Sequence, residues 1–105
     1  MTMQWNELSL TLSQQRPLLE ALSDDMRQRI LHILATTGSL SVGELALELG
    51  LSRPAVSHHL KILTQAGLLS VTRQGTRRYY RPSVANASGA IQEVADAMKV
   101  AAETT

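Results

Sequence analysis

Six basic side chains lie between residues 51 and 82 of this 105-residue chain, and no Asp or Glu accompanies them. They are Arg53, Lys61, Arg73, Arg77, Arg78 and Arg81. The formal net charge of the whole chain is only +1, because the flanking segments are acidic. Each Lys or Arg that contacts a phosphate releases condensed counterions, so this charge pattern is typical of a surface that binds a polyanion. A solvated basic face is the alternative at this point.

Local signals predict the helices that hold the first of these side chains. Ser41 and Glu44 have the spacing of a capping box and predict the start of a short helix, which Gly50 ends. Ser52 predicts the N-cap of the next helix. Two short helices joined by a tight, Gly-containing turn are typical of a helix-turn-helix motif, here over residues 41–66.

The second of these helices is predicted to be amphipathic. At about 100° per residue, Val56, Leu60 and Leu63 share an apolar arc that faces the core. The opposite face is polar and free of acids, which suits a DNA major groove, with Arg53 reading a guanine and Lys61 holding a phosphate. The residues expected to contact DNA from this helix are Ser52, Arg53, Pro54, Ser57, His58 and Lys61.

A β-hairpin is predicted over residues 68–82, where two β-rich runs flank a turn at Gln74-Gly75. Arginines around that turn could contact phosphates or enter a minor groove. The residues expected to contact DNA from the hairpin are Arg73, Gln74, Thr76, Arg77 and Arg78. Tyr79 and Tyr80 alternate across the second strand, so one of them is expected in the core, and the sequence leaves open which.

The adjacent histidines, His58 and His59, invite a metal-site interpretation that helix geometry disfavours. Neighbouring residues on a helix point about 100° apart, so they cannot chelate one ion from one face as an i, i+4 pair would. We predict that His58 faces DNA, and that His59 lies in the core with a hydrogen bond to the backbone. The chain has no cysteine, which excludes a thiolate metal site. No metal and no cofactor are predicted.

The last segment, residues 84–103, carries apolar residues at alternating intervals of three and four. Such a strip is best buried against a second copy of the chain, so a homodimer is predicted. Packing on the chain's own first helix is the alternative. That helix is predicted over residues 12–22, after an extension over residues 1–11, and Ser23 is predicted to cap the helix that follows. The residues expected at the dimer interface are Val84, Ala87, Ile91, Val94, Met98 and Ala101.

Several classes of protein are disfavoured by the sequence. No window approaches the roughly 18 continuous apolar residues of a membrane span, and the N-terminus lacks the basic and apolar parts of a secretion signal, so a cytoplasmic protein with no membrane contact is expected. No combination of nucleophile, base and orienting group can be assembled, and no phosphate-binding glycine loop is present. An enzyme is therefore not expected.

Four motifs together resemble the ArsR/SmtB family of winged-helix repressors. They are ALSDDMRQRIL at 21–31, LSRPAVSHHL at 51–60, QAGL at 65–68 and RQGTRRYYR at 73–81. The resemblance implies a mainly helical α+β fold: a single winged helix-turn-helix domain over residues 1–105, with a two-stranded wing and a C-terminal dimerisation helix. It also implies a homodimer joined through the first and last helices, with Leu18 at the interface, that represses transcription from an inverted-repeat operator.

The sequence departs from the metal-sensing members of that family. Those members usually carry thiolates where this chain has SVGEL at 41–45, or histidines on the last helix, where this chain offers only the carboxylates Glu93 and Asp96. We therefore expect a family member that senses another signal or represses without a ligand; the inducer stays unknown. A winged-helix module that binds protein instead of DNA is the alternative function.

Overall fold

The computed structural model describes residues 2–104. Met1, part of the predicted extension, and Thr105 lie outside the described residues. The elements are α1 (Thr2–Gln14), α2 (Arg16–Leu22), α3 (Asp25–Thr37), β1 (Leu40–Ser41), α4 (Val42–Leu49), α5 (Arg53–Gln65), β2 (Leu69–Gln74), β3 (Arg77–Pro82) and α6 (Ala85–Ala102). Within this part of the chain, no helix is long and apolar enough to cross a membrane.

The N-terminal segment is more helical than predicted, and the helix expected over residues 12–22 is divided. Helix α1 ends at Gln14, and α2 begins at Arg16 with Pro17 in its first turn. Proline has no N–H to continue a helix and its ring clashes with the preceding turn, but it is tolerated in a first turn, where that N–H would be unpaired. Pro17 therefore explains why the helix restarts instead of continuing.

The N-cap of α3 is Asp24, and the prediction of Ser23 was wrong by one residue. The Asp24 carboxylate accepts a hydrogen bond from the backbone N–H of Arg27 at 3.0 Å. The Ser23 hydroxyl donates instead to the carbonyl of Glu20 at 2.9 Å, at the C-terminal end of α2. The bond from the Arg27 N–H holds the pKa of Asp24 below its usual range, because it favours the charged carboxylate.

The caps predicted for α4 and α5 are confirmed. Glu44 N–H donates to the Ser41 hydroxyl at 3.2 Å, and Ser41 N–H donates to the Glu44 carboxylate at 3.1 Å. Gly50 ends α4 with a positive φ of 67°, a conformation that favours glycine. Ser52 accepts from Ala55 N–H at 3.3 Å and so starts α5. These bonds fix the turn that sets α5 relative to α4.

The sheet has three strands, in the order β1-β3-β2, where two were predicted. The two-residue strand β1 pairs with β3, with Leu40 opposite Tyr80. In the hairpin Gln74 pairs with Arg77, so the turn is Gly75-Thr76, one residue later than predicted. Tyr80 is the buried tyrosine, at 8% exposure, and Tyr79 is half-buried.

One aliphatic cluster holds α5 and the sheet together. The largest side chains that are fully buried in it are Ile30, Leu34, Leu45, Val56, Leu60, Leu63 and Leu68. These residues come from α3, α4, α5 and the start of the hairpin. Because α5 contributes three of them from one face, its opposite face is presented to solvent in a fixed orientation.

Helices α1 and α6 pack on each other and bury a separate, smaller set: Leu8, Val94 and Ala101. The molecule is elongated, with principal extents of 54 × 22 × 21 Å and a radius of gyration of 16.6 Å. A compact domain of this length has a radius of gyration near 13 Å. A chain of this shape leaves much of its apolar surface outside a single core.

Candidate nucleic-acid interface

The face of α5 opposite the core carries the side chains predicted to contact DNA. Val56, Leu60 and Leu63 are buried on the inner face. On the outer face Ser52, Arg53, Pro54, Ser57, His58 and Lys61 are all exposed. This face has hydrogen-bond donors and cations and no carboxylate, so it complements the acceptor-rich major groove.

The hairpin brings further cations to the same surface. Arg73, Gln74, Thr76, Arg77 and Arg78 are all exposed. Cross-strand pairing sets Arg73 directly opposite Arg78, and like charges in that arrangement destabilise a hairpin. A polyanion placed against the two guanidinium groups would relieve this repulsion, which favours a phosphate-binding function for the hairpin.

A cleft of about 600 Å³ lies between the first turn of α4, the start of α5 and the hairpin tip. It brings together three of the predicted DNA-contact arginines, Arg53, Arg77 and Arg78, which are distant in sequence. Its other wall is the first turn of α4, including Gly43, which sequence reasoning missed as part of the site. The one available signal was a glycine inside the first turn of a helix that a capping box had already identified.

One carboxylate, that of Glu44, also lines this cleft. Its hydrogen bonds from the backbone and side chain of Ser41 lower the pKa of Glu44, and the nearby charge of Arg77 lowers it further. Glu44 therefore stays ionised and committed to its capping box. With three guanidinium groups against one carboxylate, the cleft is cationic and suits an anionic partner.

Known proteins resemble this chain over the same elements. A family model described as "Bacterial regulatory protein, arsR family" matches residues 24–71. The HTH-type transcriptional regulator Rv2034 of Mycobacterium tuberculosis is 52% identical over 62 residues, which cover 59% of this chain and 57% of that protein's length. The transcriptional repressor SdpR of Bacillus subtilis is 40% identical over 63 residues, 60% of this chain and 69% of that protein. The chain belongs to the arsR family.

A solved structure extends the likeness beyond the matched segment. The ArsR-like transcriptional regulator from Rhodococcus sp. RHA1 is 28% identical, with a TM-score of 0.72, and the match covers 90% of this chain and 95% of that one. The expected winged helix-turn-helix fold is thereby confirmed, with the third strand as the correction. This ArsR-family chain is a DNA-binding transcriptional regulator.

In this ArsR-family chain His59 is half-buried. Its hydrogen-bond partner is a side chain, whereas a hydrogen bond to the backbone was predicted. The guanidinium of Arg27 lies 3.4 Å from Nδ1 of His59; a guanidinium only donates, so Nδ1 accepts. Arg27 also donates to the carbonyls of Ala21 and Glu20, each at 3.0 Å. It thereby connects α5 to the C-terminal end of α2. Among residues 2–104, no group of three or more His, Asp or Glu is placed to hold a metal ion.

The residues predicted at the dimer interface divide into two groups. Leu18 lies in the core of its own chain at 4% exposure, and Ala87, Val94 and Ala101 are also buried within the chain. Val84, Ile91 and Met98 are exposed, at 54%, 38% and 49%. The two sets alternate along α6, and only the second is available to another molecule without opening this one.

Proposed function

We propose that this ArsR-family chain is a homodimeric repressor that occupies an inverted-repeat operator. The two copies of α5 would enter successive major grooves, with half-sites about one helical turn, or roughly 34 Å, apart. One observation carries the proposal: every side chain expected to contact DNA is exposed on α5 or on the hairpin next to it. As a DNA-binding regulator it would act in the cytoplasm, without catalytic activity of its own.

The side chains on this surface are proposed to contact either bases or phosphates, according to where they lie along α5 and the hairpin. Those at the start of α5, Ser52, Arg53 and Pro54, followed by Ser57 and His58, are proposed to face base edges, where direct readout occurs. Lys61 lies about two turns after Arg53 and is proposed to hold a phosphate. The hairpin residues Arg73, Gln74, Thr76, Arg77 and Arg78 are proposed to contact phosphates and the adjacent minor groove.

The proposed dimer surface is an apolar strip formed by Ile91 and Met98 of α6 and by Val84 at its N-cap, which we call the α6 strip. Its members recur every seven residues, the repeat that keeps one face toward a neighbouring helix. Met3 and Leu10, exposed at 71% and 59% on α1, have the same spacing. A second copy that covers these side chains would remove from water the apolar surface that the elongated shape leaves exposed.

The repressor is proposed to work without a metal. The first turn of α4 offers Ser41, Val42 and Gly43, and none of these side chains is a good ligand for a soft metal. Release from DNA would then follow another signal or the concentration of the protein itself.

The test is the salt dependence of binding to a duplex that the protein itself selects from random-sequence DNA. Four phosphate contacts per protomer, from Lys61, Arg73, Arg77 and Arg78, predict a slope of log K against log salt of about −7 for a dimer. A slope near zero would contradict phosphate contact. Absence of binding at low salt would instead favour a module that recognises protein.

A further inference from the structure

The guanidinium of Arg53 lies against the backbone of Gly43, the second residue of α4. A Cβ atom built on Gly43 would be 2.8 Å from Nη2, 3.2 Å from Cζ and 3.7 Å from Nε of Arg53. The first of these distances is one that real Cβ atoms essentially never show, so an alanine at Gly43 would displace the Arg53 guanidinium, which can move because it is the far end of a flexible side chain. The Arg53 side chain of α5 and the first turn of α4 therefore meet at this point of the cleft.

Gly43 has no backbone reason to be a glycine. The residues with positive φ among those described are Gly38, Gly50, Gly67 and Gly75, and Gly43 is not one of them. In an ordinary helical conformation glycine is less favourable than alanine, because it loses more backbone freedom on folding. The contact with Arg53 is therefore the feature of this position that distinguishes glycine from alanine.

The guanidinium of Arg53 packs against backbone and does not form an ion pair among the described residues. Among residues 2–104, the Arg53 guanidinium has no hydrogen-bond or ion-pair partner, although the Glu44 carboxylate lines the same cleft. A flat guanidinium can lie across exposed backbone where a side chain would obstruct it. Arg53 lines the same cleft as Arg77 and Arg78, and its donors are available to a ligand.

We propose that Gly43 sets the position of Arg53 in the DNA site and so contributes to affinity for DNA. By leaving the first turn of α4 open, it admits the Arg53 guanidinium to a place in the cleft from which a Cβ atom would displace it. The inference rests on the proposed function, because it assigns Arg53 a DNA contact. Gly43 itself is a positioning residue and touches no base.

The test compares Gly43→Ala with Gly89→Ala. Gly89 lies within α6, where an added Cβ meets nothing within 4 Å, and it is about 160° around the helix from Ile91 of the α6 strip. Both variants replace a helical glycine by alanine, so both should unfold at or above the temperature of the unmodified chain. Gly43→Ala alone should weaken binding to the selected duplex, by about two- to tenfold, the range expected for immobilising one long side chain.

A double-mutant cycle shows whether the effect passes through Arg53. With Arg53→Ala already present, Gly43→Ala should leave affinity for the selected duplex unchanged, because the obstructed side chain is gone. An equal loss with and without Arg53 would overturn the proposal. So would unchanged or tighter binding by Gly43→Ala in the otherwise unmodified chain.

A second readout needs no DNA. In a ¹H–¹⁵N spectrum of the free protein, the Arg53 Nε resonance, assigned by its loss in Arg53→Lys, should shift and sharpen in Gly43→Ala and stay in place in Gly89→Ala. An unshifted resonance would overturn the inference even if the protein binds DNA well. A shifted resonance in a protein that binds no DNA would show that the contact exists and that the proposed function, together with the role given to Gly43, is wrong.

Discussion

Ile91→Asp is the substitution that tests the proposed dimer without disturbing the fold of the protomer. Ile91 is 38% exposed in the α6 strip, whereas Val94, three residues later, is 7% exposed and packs within the α1–α6 pair. A charge at Ile91 can remain in water in a monomer, but it would be trapped in the interface of a dimer. The variant should therefore dissociate the dimer and leave each protomer folded.

The magnitude follows from the exposed fraction. Complete burial of an isoleucine side chain is worth about 1.5–3 kcal/mol. Covering the 38% that remains exposed contributes about 0.6–1.1 kcal/mol per protomer, or about 1–2 kcal/mol for a symmetric pair. Each buried, unpaired aspartate adds about 2 kcal/mol or more. The dissociation constant of the dimer should then rise by about a thousandfold or more.

Sedimentation velocity measures this change, as a fall from twice the protomer mass of 11.5 kDa to that mass. The matched control is Val100→Asp. Val100 is 44% exposed on the same helix, but it lies about 180° from Ile91, so this variant should stay dimeric. Far-UV circular dichroism should show native helix content in both. An Ile91→Asp protein that keeps the mass of a dimer, or a Val100→Asp protein that loses it, would refute the position of the interface.

The roles of the cationic side chains and of one helix cap can be tested in the same way. Arg53→Ala should weaken the selected duplex about five- to a hundredfold more than random DNA, whereas Arg77→Ala should weaken both similarly; equal behaviour of the two variants in competition binding would contradict the division into base and phosphate contacts. Because the pKa of Asp24 is lowered in the folded chain by the Arg27 N–H, its stabilising effect is complete above the ordinary carboxyl pKa of about 4 and is lost as pH falls through the lowered value. Thermal unfolding of Asp24→Asn, which keeps the cap, should therefore depend less on pH below about 4 than that of the unmodified chain, and identical pH profiles would rule out the titration of Asp24 as a cause.

The parts of the fold that local chemistry specifies could be predicted from the sequence. A cap is decided within four residues, which is why the bonds of Ser41 and Ser52 were predicted correctly. Asp24 was missed because its neighbour Ser23 is an equally good cap in isolation, and the choice depends on where α2 ends. Strand β1 was missed because two residues show no periodicity, and its partner is forty residues away, at Tyr80.

In the candidate site too, sequence periodicity predicted which face of a helix is exposed but not which contacts form between elements. The 3.6-residue repeat correctly predicted the exposed face of α5. It could not predict that Arg53 lies against Gly43, because that contact depends on the angle between two helices and on one missing Cβ. A charge pattern therefore indicates the class of partner, while the packing of the helices decides which backbone lies beside a charge such as that of Arg53.

The terminal helix shows most clearly that a sequence repeat does not identify the contact that buries each residue. Ile91 and Val94 belong to one three-four repeat, and the repeat shows only that both lie toward an apolar neighbour. The sequence left two neighbours open, a second copy or the chain's own first helix, and within the chain α6 packs on α1, most of which lies in the predicted extension. One heptad position, Ala87, Val94 and Ala101, is buried within the chain, and the other, the α6 strip, is exposed. Aspartate at Val94 would therefore test the stability of the protomer, and aspartate at Ile91 tests the proposed dimer.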